Sequence, residues 1–175
     1  MLREFLSEEN IALHKEHVRQ MRLKYSVIES YLPSVKGAKV SDVFRLRLGK
    51  DDRRDVLGIL PDIVLHDLYF SSFLDRRCVR CEAVARLYGS EAAYLNFLFR
   101  TAQKTDGKFL AIYRGGSALA VTDLKEAFVR AEPVLAIDLA EHAYFLDYGF
   151  DRERYLVSCL TYLDLTKITS KSSEV

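Results

Sequence analysis

The sequence predicts an α+β protein in which long helices come first and a small antiparallel sheet follows. Helical patterns fill the first half of the chain, and short apolar, partly β-branched runs begin at Phe109. Helices followed by strands indicate this class, whereas a parallel α/β sheet would alternate the two. We therefore expect an N-terminal long helical hairpin domain over residues 1–88. A C-terminal α/β domain with a three-stranded antiparallel sheet is expected over residues 89–175.

The first helix is predicted to begin after Ser7 and to end near Leu32. Ser7 is a suitable N-cap, acidic residues follow it, and Pro33 cannot continue the helix. Its apolar stripe has spacings of three and four, as in a helix packed against a partner. The stripe positions are Ile11, His14, Val18, Met21, Tyr25, Ile28 and Leu32.

A second long helical pattern covers residues 51–73, where Pro61 predicts a kink or a division into two helices. Shorter helices are expected over residues 82–88 and 90–105, the latter capped by Ser90. We predict strands over residues 109–113, 118–122 and 133–138, and a closing helix over residues 151–163. The turn formed by residues 114–117 is glycine-rich and indicates a hairpin.

Composition narrows the classes of function. The formal net charge is +1, which does not favour a nucleic-acid or anionic-membrane partner. The sequence contains no run of 18 apolar residues, so we expect no membrane span. The N-terminus lacks a signal-peptide pattern, and three cysteines disfavour a secreted disulfide framework. We therefore expect a cytoplasmic protein. The lone CxxC motif of Cys78 and Cys81 is interpreted as two reduced helix or loop cysteines.

Two of the four histidines occupy positions where an apolar residue is expected. His14 lies on the first helical stripe, and His66 lies between Ile63 and Phe70 on the second. A buried imidazole without a partner costs about 1–3 kcal/mol, so two such stripe histidines favour a shared partner over two separate core hydrogen bonds. His17, in contrast, lies on a polar face and is interpreted as a solvated surface histidine.

Asp138 and His142 complete a candidate metal site. Asp138 ends an apolar strand, where a carboxylate is costly unless it is paired or metal-bound, and His142 follows four residues later. Three histidines and one carboxylate suit iron or manganese and leave a coordination position open. Other chemistries are poorly supported, because Cys159 has no histidine nearby in sequence and the glycine turn leads into a strand rather than a helix.

Several segments resemble the iron/manganese superoxide dismutase family. Residues 134–148 (VLAIDLAEHAYFLDY) are similar to its DxWEHAYYLDY signature, and residues 151–155 (DRERY) to its NDRPxY segment. Residues 66–70 (HDLYF) resemble its NHxxFW ligand helix, and residues 88–90 (YGS) its FGS helix start.

The resemblance implies a superoxide dismutase that converts superoxide to dioxygen and hydrogen peroxide with one iron or manganese ion per chain. It assigns His14, His66, Asp138 and His142 as metal ligands, with the ion between the two domains. It also implies a homodimer, in which Glu141 reaches toward the partner's ligand histidine and Tyr144 lies beside the site.

The chain departs from the family pattern around the ligands. Asp62 occupies the position four residues before His66, where some members have a glutamine. Val18, Arg22 and Phe145 replace a histidine and two tyrosines, and the chain has no tryptophan. Tyr25, three turns beyond His14, is the candidate replacement for the lost catalytic tyrosine. These changes leave two alternatives open: an iron- or manganese-binding protein with altered or lost dismutase activity, and a protein that kept only the fold.

Overall fold

The computed structural model describes residues 2–76, 81–104 and 106–169. Within these ranges the order of elements is helices first and a three-stranded sheet afterwards, which confirms the predicted α+β class. The elements are α1 (Glu8–Tyr31), α2 (Val40–Val43), α3 (Lys50–Ser71), α4 (Glu82–Tyr88), α5 (Glu91–Gln103), β1 (Phe109–Ile112), β2 (Ala118–Val121), β3 (Leu135–Asp138), α6 (Phe145–Tyr148) and α7 (Arg152–Tyr162).

Helix α1 forms as the sequence predicts. The Ser7 hydroxyl accepts a hydrogen bond from the Asn10 backbone N–H at 3.1 Å, and the helix ends just before Pro33. Five of the seven predicted stripe positions are buried, and the outer two, Ile11 and Leu32, are partly buried against the same core. One face of α1 is therefore buried in the protein interior, and His14 lies on this face.

Helix α3 continues through Pro61, so the predicted division into two helices is wrong. A proline removes one backbone donor, here the one that would bond the Leu57 carbonyl four residues earlier. Pro61 lies on the buried face of α3, which packs against both α1 and β3. Tertiary packing of this kind can outweigh the cost of a single lost helical hydrogen bond.

The sheet has the order β2-β1-β3, and both pairings are antiparallel. Gly115 and Gly116 take φ values of 77° and 87° in the turn between β1 and β2, which confirms the predicted hairpin. The register pairs Phe109 at the start of β1 with Asp138 at the end of β3. All residues of β1 and β3 are buried, so Asp138 ends its strand inside the protein.

One hydrophobic core connects the two halves of the chain. Helix α3 is central to this core, because it packs against both α1 and β3. The division into residues 1–88 and 89–175 falls between α4 and α5 and stays a prediction. No helix in the described ranges combines the length and the apolar character needed to cross a bilayer. Cys78 of the CxxC motif lies outside the described residues, and Cys81 is a buried free thiol.

Candidate metal centre

Four elements bring the predicted ligands to one point. His14 comes from the second turn of α1, His66 from the last turns of α3, and Asp138 from the end of β3. His142 follows in a single 3-10 turn, Glu141–Ala143, shortly after β3. One potential ligand atom from each residue lies within 4.8 Å of all the others. The structure thus brings together the four residues that the sequence singled out.

The distances inside this cluster are those of ligands around one ion. The Asp138 Oδ2 atom lies 3.1 Å from His14 Nε2, 3.3 Å from His66 Nε2 and 3.1 Å from His142 Nε2. The Nε2 atoms of His66 and His142 are 3.4 Å apart. Ligand atoms that each lie about 2.1 Å from one ion, at angles of 90–110°, are about 3.0–3.4 Å from one another.

Close approach in the cluster does not amount to hydrogen bonding. His14 Nε2 and Asp138 Oδ2 are both buried and have no hydrogen-bond partner among the described residues, although only 3.1 Å separates them. Buried polar atoms are normally satisfied, so these two require an explanation. A cation that accepts both lone pairs supplies one, and three imidazoles with one carboxylate suit iron or manganese. The residues present therefore fit the metal.

Neighbouring polar groups orient two of the cluster residues. The His66 Nδ1 atom lies 2.8 Å from the Asp62 backbone oxygen and 3.0 Å from its carboxylate. Both partners are acceptors, so Nδ1 carries the proton and donates it, which leaves Nε2 facing the cluster. The Oδ1 atom of Asp138 accepts from the Ala140 backbone N–H at 2.9 Å, which turns Oδ2 toward the three histidines.

The cluster is closed on most sides and open at His142. His14 is 2% exposed, His66 1% and Asp138 0%, whereas the His142 side chain is 41% exposed. The rings of Tyr69 and Phe70 are centred 5.1 Å from that of His14, and Phe109 covers His66 at 5.0 Å. A cleft of about 590 Å³ is lined by His142, Lys108 and Arg152 among others. A small solute can therefore reach the cluster at His142.

Protonation of the cluster is uneven. Burial lowers the pKa of His14 despite the neighbouring carboxylate, so this ring is neutral. Burial also opposes protonation of His66, but the carboxylates of Asp138 and Asp62 outweigh it and raise its pKa to about 10. Burial disfavours the Asp138 anion, yet the three imidazoles beside it hold its pKa well below the usual range. In the metal-free protein, a proton on His66 therefore balances the Asp138 charge.

A pair of tyrosines anchors the strand end beneath the cluster. The Tyr155 hydroxyl donates to the Asp138 backbone oxygen, 2.8 Å away, and lies 3.1 Å from the Tyr69 hydroxyl. Both rings are fully buried, and burial raises the pKa of each phenol well above its usual value. These hydroxyls remain protonated and hold the backbone of Asp138 in place.

The remaining predicted site residues lie at different distances from the cluster. Glu141 is exposed beside His142, whereas Tyr144 is buried and stacks on Tyr155 with the ring centres 4.7 Å apart. Tyr25 is not brought to the cluster. Its hydroxyl donates to the Val35 backbone oxygen at 3.2 Å, and eleven residues of α1 separate it from His14, about 16 Å along the axis.

His17 is a neighbour that sequence reasoning missed. Its side chain is exposed, as predicted, but the ring is centred 4.8 Å from that of His142 and 5.5 Å from that of His66. Its position three residues after His14 was a usable signal, because residues at this spacing are neighbours on a helix surface.

A comparison with protein-family models identifies the family. The C-terminal domain of the iron/manganese superoxide dismutases matches residues 81–171, which is about half of the chain. The chain belongs to the iron/manganese superoxide dismutase family. No curated protein matches the chain. The matched segment contains Asp138 and His142, while His14 and His66 come from the helices that precede it.

Several positions at which the chain differs from the family pattern have structural roles of their own. Asp62 contacts the Nδ1 edge of His66, on the opposite side of the ring from the cluster. Arg22 forms a bidentate ion pair with Asp67, at 2.5 and 2.6 Å, which links α1 to α3. Phe145 is 45% exposed. These contacts leave the four-residue cluster complete but surround it with different groups.

Proposed function

We propose that the protein binds one iron or manganese ion per chain on His14, His66, Asp138 and His142, and acts as a superoxide dismutase. The observation that carries the proposal is the buried Asp138 Oδ2 atom, which faces three imidazole nitrogens at 3.1–3.3 Å without a hydrogen bond. Membership of the dismutase family supports iron or manganese as the ion and superoxide as the substrate.

The bound ion supplies a one-electron couple, so that one superoxide is oxidised to dioxygen and a second, with two protons, is reduced to hydrogen peroxide. The three imidazoles and the Asp138 carboxylate would hold the ion and partly balance its charge. Asp62 and the Ala140 backbone N–H orient His66 and Asp138. The exposed edge of His142 admits a small anion, and the aromatic rings beside His14 and His66 exclude water from the other sides.

A metal-binding protein of this family with weak or no dismutase activity is the second candidate. The observation that favours it is the position of Asp62, whose carboxylate is directed at His66 Nδ1 rather than at the ion. Arg22, which replaces a family tyrosine, is held in an ion pair with Asp67. Side chains that hydrogen-bond a metal ligand or its solvent set the metal's potential, so these replacements bear on rate more than on binding.

A homodimer is proposed as the active assembly. Phe145, Leu146 and Phe150 are 45%, 55% and 89% exposed, and they lie close to His142 and Glu141 in the chain. The rings of Phe145 and Phe150 are in contact at 5.3 Å, and clustered exposed apolar side chains are typical of an interaction site. Analytical ultracentrifugation tests this proposal: Phe150→Glu should convert a dimer to a monomer, and a wild-type monomer would refute it. The buried free thiols of Cys81 and Cys159 support a reducing compartment, for which we propose the cytoplasm.

Two measurements test the proposed function. Elemental analysis of the untagged protein should find about one iron or manganese ion per chain, and His66→Ala should lose it, because a ligand is removed. Superoxide decay is then followed by stopped-flow absorbance with the metal-loaded protein. A rate well above that of the same concentration of free metal supports dismutation. Stoichiometric metal with no rate above free metal would favour the second candidate, and no metal after reconstitution would refute both.

A further inference from the structure

The position of His17 relative to the cluster suggests a role for this residue. Its ring lies 4.8 Å and 5.5 Å from the rings of His142 and His66, while the three cluster rings lie 5.0–5.7 Å from one another. His17 is therefore as close to two cluster rings as those rings are to each other. Nevertheless, it is not part of the group whose ligand atoms all lie within 4.8 Å.

His17 lies beside His142, the exposed member of the cluster. His14, His66 and Asp138 are buried, so a solute from bulk water meets the cluster at the exposed His142. His17 is exposed and packs against His142. It follows His14 by three residues on α1, so the two side chains are neighbours on the helix surface. His17 therefore places a second exposed imidazole beside the exposed member of the cluster.

We propose that His17 is a positioning residue that donates a hydrogen bond to the small anion or water molecule at the open coordination position of the metal. The inference rests on the proposed metal site and deepens it by naming the residue that binds the exogenous ligand. Imidazole can donate through a ring N–H, and a hydrogen bond to a charged acceptor is stronger than one between neutral groups. Superoxide and azide are small anions of the size and charge that this position would accept.

Azide binding to the iron-loaded protein tests the assignment without any measurement of turnover. The azide dissociation constant is obtained from the visible charge-transfer absorption of the ferric protein. His17→Ala should weaken azide binding about tenfold, the effect of one lost hydrogen bond to a charged group. His17→Gln, which keeps an N–H donor, should recover most of the affinity. Lys24→Ala, an exposed change two turns further along α1, is the matched control and should leave the affinity unchanged.

The iron content of each variant separates the possible outcomes. Full iron in His17→Ala with an azide affinity within about twofold of wild type would overturn the proposal, since a lost charged hydrogen bond costs more than that. Loss of iron comparable to that in His66→Ala would make His17 a ligand, and tighter azide binding would make it a steric barrier; both results contradict the proposal. A wild-type protein that binds no iron or no azide also overturns it. Weaker azide binding in His17→Ala together with no dismutation would refute the proposed function alone.

Discussion

Replacing Asp138 by asparagine would change one atom of the cluster and should abolish metal binding. The Ala140 backbone N–H donates to Oδ1 at 2.9 Å, so the asparagine oxygen is expected to keep this contact. The amide nitrogen then takes the place of Oδ2, which lies 3.1–3.3 Å from three imidazole nitrogens. An amide NH₂ donates two hydrogens and has no lone pair to offer an ion, so the site loses its only carboxylate and gains a group that points hydrogens at its centre.

The expected size of the effect follows from binding linkage. Manganese at about 100 times its dissociation constant stabilises the wild-type protein by about 2.7 kcal/mol. For a chain of 175 residues, each kcal/mol shifts the melting temperature by about 2–4 °C, so manganese should raise it by about 5–11 °C. In Asp138→Asn the manganese-induced rise should be within about 1 °C of zero, because a ligand that does not bind gives no stabilisation.

Thermal unfolding with and without manganese, followed by circular dichroism, measures this difference. Asp164→Asn is the matched control, because Asp164 Oδ1 accepts from the Thr166 backbone N–H at 3.2 Å in the same two-residue spacing, away from the histidines. It should retain the full manganese-induced rise. If Asp138→Asn retained more than half of the wild-type rise while folding normally, the inference that Oδ2 binds the ion would be refuted.

Three further predictions concern the proposed ligand His66 and the groups that contact the cluster. Asp62→Asn should weaken manganese binding about tenfold, because the amide orients His66 less strongly than the carboxylate does. A manganese titration measures this change. An effect as large as that of Asp138→Asn would contradict the supporting role of Asp62. The folded-state pKa of His66, about 10, exceeds its unfolded value of about 6.5, so its contribution to metal-free stability is complete below pH 6.5 and is lost toward pH 10. Manganese must displace this proton from His66, so the affinity of the protein for manganese should rise up to tenfold per pH unit between about pH 6 and 8. A manganese-induced rise in melting temperature that does not depend on pH would refute this prediction. Tyr155→Phe removes the hydroxyl that contacts the Asp138 carbonyl and the Tyr69 hydroxyl, which should lower the free energy of unfolding by about 1–3 kcal/mol, as measured by denaturant unfolding. A decrease below about 0.5 kcal/mol would contradict the anchoring role of Tyr155.

The fold was predictable where local chemistry and long-range packing agree. The cap at Ser7, the stripe of α1 and the hairpin at Gly115 and Gly116 follow from short-range rules, and each is present. Pro61 shows where such rules fail. The local expectation is a kink or a division into two helices, but Pro61 is buried inside α3, and the packing of α3 against α1 and β3 keeps the helix continuous.

Three residues of the candidate site, His14, His66 and Asp138, were predictable because they are buried and would be costly without a partner. Two histidines on apolar stripes and a carboxylate at the end of a buried strand require a partner, and each is the partner of the others. Tyr25 and His17 could not be judged in this way. Position along α1 made Tyr25 a candidate, but helix rise alone removes it from the cluster by about 16 Å. His17 lies on a polar face of its helix, which is typical of a surface residue, and its ring neighbours His66 and His142 belong to elements distant in sequence.

The sequence by itself determined the class of fold, and it pointed to His14, His66 and Asp138 because these polar residues occupy positions where the hydrophobic pattern expects a buried side chain. His142 was added by its spacing from Asp138 and by the family resemblance. Only the tertiary structure decided how those residues face one another, which side of the cluster meets solvent, and which neighbours orient or approach it. Those properties depend on the packing of α1, α3 and β3, and the contacts between these elements join residues far apart along the chain.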